Sequence, residues 1–232
     1  MDLIVDLLKN RDIKAVLFDM DGVLFDSMPY HAEAWYQTFQ HFGIKSFTLY
    51  DAYLNEGRTG DSTINEFFIS EKGYMPSIEE RHRIYDFKSE CFHRYPEAKP
   101  IGGICEVLQL LKQKGIAIGL VTGSAQVSLL ERLNSNFHEV FSSERMVTAY
   151  DVKYGKPHPE PYLMGLERVG FPADNTLVVE NAPLGVRSAV AAGISTIAVN
   201  TGILHDSDLS AEGSIAVLPD MYALRQIFER VL

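Results

Sequence analysis

The sequence predicts an α/β protein: a parallel β-sheet covered by helices on both faces, with a helical segment inserted after the first strand. Three observations predict it. Short apolar runs stop abruptly at polar residues, AVLF before Asp19, IAIGLV before Thr122 and TLVV before Glu180 and Asn181, and such continuous runs mark strands buried on both faces. Helix-length amphipathic patterns lie between and after them. The stretch from 27 to 96 contains no such run.

AVLF is the first strand, and the inserted segment follows it. That segment is dense in aromatics and in helical pattern, in YHAEAWYQTFQHFG, STINEFFISEKG and ERHRIYDFKSECFHRY. Phe39, Phe42, Phe67, Phe68 and Phe87 are expected to form its own core. Pro96, Pro100, Gly102 and Gly103 mark the return, as a linker or hinge would. Helices are then expected in EVLQLLKQKG, QVSLLERLN, EPYLMGLERVG and LGVRSAVAAG, several of them closed by Gly or Asn. STIAVN supplies a further strand. In open parallel sheets ligands bind outside the carboxyl ends of the strands, which is where the polar residues fall.

Composition narrows the function. The 232 residues are 46% hydrophobic and 22% charged, and no apolar run reaches the roughly 18 residues of a membrane span. The N-terminal MDLIVDLLKNRDIK lacks the apolar stretch and cleavage site of a secretory leader, so a soluble, cytoplasmic protein is expected, with a monomer as the default. The two cysteines, Cys91 and Cys105, make neither a disulfide framework nor a metal-ligand spacing. A formal net charge of −10 argues against nucleic acid. It leaves phosphate substrates open, because a bound divalent cation reverses the local sign. Neither GxGxxG after the first strand nor GxxxxGK[ST] is present.

Asp19 and Asp21, two residues apart at the end of a strand, place two carboxylates on one side of the chain. Alone they could be turn or capping residues. Thr122, Gly123 and Ser124 add a hydroxyl and backbone N–H groups, Lys156 in GKPHPEP adds a fixed positive charge, and Glu180 with Asn181 adds oxygen ligands. A nucleophile, a charge clamp, a hard-cation site and donors for equatorial oxygens are the parts that phosphoryl transfer uses.

In these motifs, FDMDGVLFDS, LVTGS, the Lys156 loop and VVENAPLGV, the chain resembles the haloacid dehalogenase superfamily, in the branch of β-phosphoglucomutase and small-molecule phosphatases, its inorganic pyrophosphatase members among them. The resemblance implies a Rossmann-like core over 1–26 and 97–232 and a helical cap over 27–96. It implies Asp19 as nucleophile, Asp21 as general acid/base, Thr122 and its neighbouring N–H groups on the transferring phosphoryl group, and Lys156 neutralising charge. It implies Mg²⁺ held by the Asp19 carboxylate, the Asp21 carbonyl, Glu180 and Asn181. The namesake dehalogenases lack the second aspartate, which argues against their chemistry here.

The chain departs from that family in one place. The last motif usually ends in two acids and here reads Glu180-Asn181, so either the cation is held more weakly or an acid from the cap compensates. Glu56, in LNEGRTGDS, is the candidate acid; otherwise it is a surface acid paired with Arg58. The resemblance places Arg58 where mutase caps hold a second phosphate. His31 is either a packed ring or a functional one, and Lys88 could reach the site from the third cap helix. The expected activity is a Mg²⁺-dependent phosphohydrolase of small phosphates with pyrophosphate favoured. The alternatives are a β-phosphoglucomutase and a catalytically silent binding module.

Overall fold

The computed structural model describes residues 2–124 and 129–232. Six strands, β1 (Ala15–Phe18), β2 (Ala117–Val121), β3 (Met146–Val147), β4 (Thr176–Glu180), β5 (Ser195–Val199) and β6 (Ala216–Leu218), form one sheet in the order β3-β2-β1-β4-β5-β6, every pairing parallel. β1, β2 and β4 are buried at every residue, as a sheet covered on both faces requires. The strand order reverses direction between β1 and β4, so their carboxyl ends flank a crevice; it is the point where such sheets bind ligands.

The four long apolar runs are strands, as expected. β3 and β6, two and three residues long, were not anticipated, nor were α1 (Asp2–Leu8) and the C-terminal helix that packs on it. Four helices, α2 (Met28–His41), α3 (Leu49–Leu54), α4 (Gly60–Lys72) and α5 (Ile78–His93), make up the segment that follows β1. Side chains cap three of them: Thr48 and Asp51 close a reciprocal capping box on α3, Thr59 accepts from Ser62 N on α4, and Ser77 accepts from Glu80 N on α5. Of these four helices, α3 was not foreseen. The helices α6 (Ile104–Gln113), α7 (Leu129–Asn136), α8 (Glu160–Val169), α9 (Pro183–Ala191), α10 (Asp206–Ser210) and α11 (Met221–Val231) belong to the rest of the chain. α7 was expected to begin at Gln126; 126–128 lie outside the described residues.

The inserted helices have their own apolar cluster, with Phe39, Phe47, Ile64, Phe68 and Ile84 fully or almost fully buried. Phe42 and Phe67 pack against it part-buried, and Phe87 stacks on His41. The same cluster takes in Val186, Ala198, Leu204 and Leu209, so these helices rest on the β5 end of the sheet. The outgoing and returning chains run side by side: Asp26 N donates to Lys99 O and Ile101 N to Leu24 O, both at 2.9 Å.

Candidate active site

Asp19 follows β1 directly, and Asp21 sits two residues on, where the chain turns. Gly22 closes that turn with φ +83°, and a Cβ there would lie 2.0 Å from Asn181 Nδ2, so both conformation and space call for glycine. Glu180 ends β4 and Asn181 follows it. Lys156, on the loop before α8, reaches back across the crevice. Its ammonium donates to Asp19 Oδ1 at 2.5 Å, Glu180 Oε1 at 2.6 Å and Val121 O at 3.1 Å. Burial works against its charge, but Asp19 and Glu180 hold its pKa above the ordinary lysine value. Burial pushes Asp19 up to about 8, with Lys156 pulling the other way.

Thr122 directly follows β2, and its hydroxyl accepts from Ser124 N at 3.0 Å, which fixes the Thr122-Gly123-Ser124 turn at the rim of the site. That N–H is therefore engaged within the turn.

Two inserted helices approach from the other side. His31 on α2 sets Nε2 3.5 Å from Asp21 Oδ1, and Ser27 donates to the same oxygen at 2.5 Å. Lys88 on α5 lines the same cavity and sits 2.9 Å from His31 Nδ1, its ammonium over the rings of Phe92, Trp35 and Tyr85. Burial lowers Lys88 to about 8. Burial, followed by the charge of Lys88, also lowers His31. Burial would raise Asp21, but His31 and then Ser27 outweigh it and hold it at about 2. These shifts oppose each other, since the low Asp21 value belongs to a charged ring that Lys88 disfavours. In the neutral ring, a proton donated by Lys88 to Nδ1 leaves the ring proton on Nε2, which faces Asp21.

The loop after α3 carries the remaining residues. Glu56 Oε2 accepts from Asn181 Nδ2 at 3.0 Å, across 125 residues of sequence. Burial, then Asp19, Asp21 and Glu180, push Glu56 well above the carboxylate range. Gly57, with φ +86°, lets this loop lie on Lys156, since a Cβ would stand 2.9 Å from Lys156 Cδ. Arg58 lines the cavity and meets Ser62 at 3.3 Å and Glu66 at 3.5 Å. The cavity encloses about 350 Å³, and its lining includes Asp19, Asp21, Glu56, Arg58 and Thr122 as well as Trp35, Tyr85, Phe92 and Tyr150.

The donor set suits a hard cation. Asn181 Oδ1 and Glu56 Oε1 are buried with no hydrogen-bond donor among the described residues, and four carboxylates crowd around one lysine. No group of three or more His, Cys, Asp or Glu side chains is arranged to hold a metal by itself among the described residues; an amide and a backbone carbonyl would complete the set. Glu180, expected among the ligands, has both oxygens engaged: Oε1 by Lys156 and Tyr162, Oε2 by the N–H groups of Asn181 and Ala182. Tyr162 was not foreseen, and nothing in its local sequence marks it.

Residues 16–199 match the haloacid dehalogenase-like hydrolase family, and the chain belongs to it, as an enzyme of the phosphatase and phosphotransferase class. It is 30% identical to the phosphorylated carbohydrates phosphatase of Thermotoga maritima over 95% of this chain and 100% of that one. It is 32% identical to hexitol phosphatase A of Escherichia coli over 84% and 89%. Among solved structures it resembles a Bacteroides vulgatus protein provisionally named beta-phosphoglucomutase, at 49% identity and a TM-score of 0.91 over 99% of this chain and 93% of that one. No helix of the described residues is long and apolar enough to cross a membrane.

Proposed function

We propose that the protein is a Mg²⁺-dependent phosphohydrolase that works through an aspartyl-phosphate on Asp19 and favours a compact phosphate substrate, inorganic pyrophosphate first. The observation that carries this reading is the pairing of Glu56 with Asn181, two buried groups that each keep an oxygen without a donor beside Asp19. It supports a cation site in which the acid missing from the last motif comes from the inserted helices. Asp19, the Asp21 carbonyl, Asn181 and Glu56 would hold Mg²⁺. When bound it would offset charge on the transferring phosphoryl group.

The side chains then divide the work. An oxygen of Asp19 bonds to phosphorus as the bond to the leaving oxygen breaks, and Asp21 gives that oxygen a proton. Lys156 balances the charge of the phosphoryl group, and Thr122 positions it. In the second half Asp21 takes a proton from water, whose oxygen attacks phosphorus and frees Asp19 with release of phosphate. His31, held by Lys88, orients Asp21 for both transfers. The inserted helices act as a cap that excludes bulk water, and Arg58 receives the part of the substrate that is not transferred.

A second reading, an organic phosphate such as a hexitol or hexose phosphate, draws on the cavity itself. About 350 Å³ lined in part by Trp35, Tyr85, Phe92 and Tyr150 leaves room for a carbon skeleton. A panel of pyrophosphate, hexitol phosphates, hexose phosphates and β-glucose 1-phosphate with Mg²⁺ separates these readings, followed for both phosphate and glucose 6-phosphate. Pyrophosphate is expected to be cleaved fastest. Faster release from an organic phosphate overturns the pyrophosphate preference, and glucose 6-phosphate formed without phosphate release replaces the hydrolase with a mutase.

A further inference from the structure

Tyr162 lies on α8 with its side chain completely buried, beneath the catalytic lysine rather than in the cavity. Its hydroxyl donates to Glu180 Oε1 at 2.7 Å, the oxygen that also takes Lys156 at 2.6 Å, and its ring centre is 5.1 Å from the Lys156 ammonium. Glu180 Oε2 is filled by Asn181 N at 3.0 Å and Ala182 N at 3.3 Å. Each oxygen of this carboxylate thus has two donors. Gly185 at the start of α9 is part of the same enclosure, because a Cβ there would fall 1.9 Å from Glu180 Oε1.

We infer that Tyr162 is a positioning residue for phosphoryl transfer: it locks Glu180 as the anchor of Lys156 and keeps that carboxylate from serving as a metal donor. The inference rests on the role of Lys156 in the proposed function. The physical argument concerns how one ammonium is shared. Lys156 has three hydrogens, and they go to Asp19, Glu180 and a carbonyl. A phenol donating to Glu180 Oε1 draws off part of that oxygen's negative charge, so Glu180 steadies Lys156 without monopolising it. With the phenol gone, Oε1 keeps Lys156 as its remaining side-chain donor and competes better with Asp19 and the phosphoryl oxygens. The ammonium then moves away from the place where charge develops, and a donor displaced from there acts on the transition state more than on the ground state.

The test is Tyr162→Phe, which removes one oxygen and keeps the ring. It is assayed on whichever member of the substrate panel the parent enzyme cleaves fastest. The expected result is a kcat lower by about tenfold, with KM, the Mg²⁺ concentration for half-maximal rate and Mn²⁺ affinity by calorimetry each within about twofold of the parent. Glu180→Gln and the double variant complete a cycle in which the double variant loses no more than Glu180→Gln alone, because Tyr162 acts through that carboxylate. An unchanged kcat in Tyr162→Phe overturns the inference and leaves the proposed function standing. So does a loss that adds fully to that of Glu180→Gln, or a Mg²⁺ requirement and a Mn²⁺ dissociation constant that rise in step with the loss of rate. Should Tyr162→Phe fold poorly, metal binding by Glu180→Gln decides alone: unchanged Mn²⁺ affinity supports the anchor, and a tenfold loss refutes it. A parent enzyme that cleaves nothing in the panel defeats the proposed function instead, a distinguishable outcome.

Discussion

On the sheet side of the cavity every hydrogen of Lys156 has a partner, both oxygens of Glu180 are filled, and the Thr122 turn is closed on itself. On the side contributed by the inserted helices, Glu56 Oε1 and Arg58 Nε are buried without a hydrogen-bond partner among the described residues, and Asn181 Oδ1 opposite them is equally bare. Buried polar atoms of that kind are costly unless something arrives to meet them. The difference separates two tasks. In the proposed function the strand ends hold the reacting groups in place before substrate binds, whereas the inserted segment supplies groups whose partners would be a cation and a ligand.

That comparison breaks most sharply at Asp19. Asp19→Asn removes the proposed nucleophile and one negative charge from the proposed cation site, and turnover is expected to fall by several orders of magnitude, each factor of ten being about 1.4 kcal/mol in the barrier. A variant that keeps more than a few per cent of the parent rate on a confirmed substrate shows that the nucleophile lies elsewhere.

Glu56→Gln sharpens the contrast from the helical side, with a smaller effect. The amide keeps the size of the side chain and loses its charge, so the Mg²⁺ concentration for half-maximal rate should rise roughly ten- to a hundredfold, while the melting temperature stays within a few degrees. An unchanged Mg²⁺ requirement makes Glu56 a bystander and returns the site to Asn181 alone.

Lys88 gives the smallest and most specific effect, one of stability against pH. Burial holds its folded pKa at about 8, below the ordinary 10.5, so between these values the unfolded chain binds more protons than the folded one. Stability from this group therefore rises with pH across that window. Below pH 8 its charged form carries the full burial penalty, at most about 3 kcal/mol. Denaturant melts of the parent and Lys88→Met from pH 7.5 to 10.5 should show a steeper upward slope for the parent. Parallel curves place Lys88 in contact with water.

Much of this was legible in the linear sequence. AVLF, IAIGLV, TLVV and STIAVN had to be strands because a sheet covered on both faces needs unbroken apolar runs, and Asp19, Asp21, Thr122, Glu180 and Asn181 were found because they stand where those runs stop. β3 and β6 are too short for any periodicity to build up, and α3 gives only six residues. What only the tertiary structure decided is which groups meet. Glu56 comes to Asn181 across 125 residues, Lys88 turns to His31 across 57, and Tyr162 reaches Glu180 Oε1 across 18. Periodicity and capping are local properties that a sequence carries openly. A hydrogen bond between distant segments depends instead on how whole helices pack, and it leaves no mark on the residues beside it in the chain.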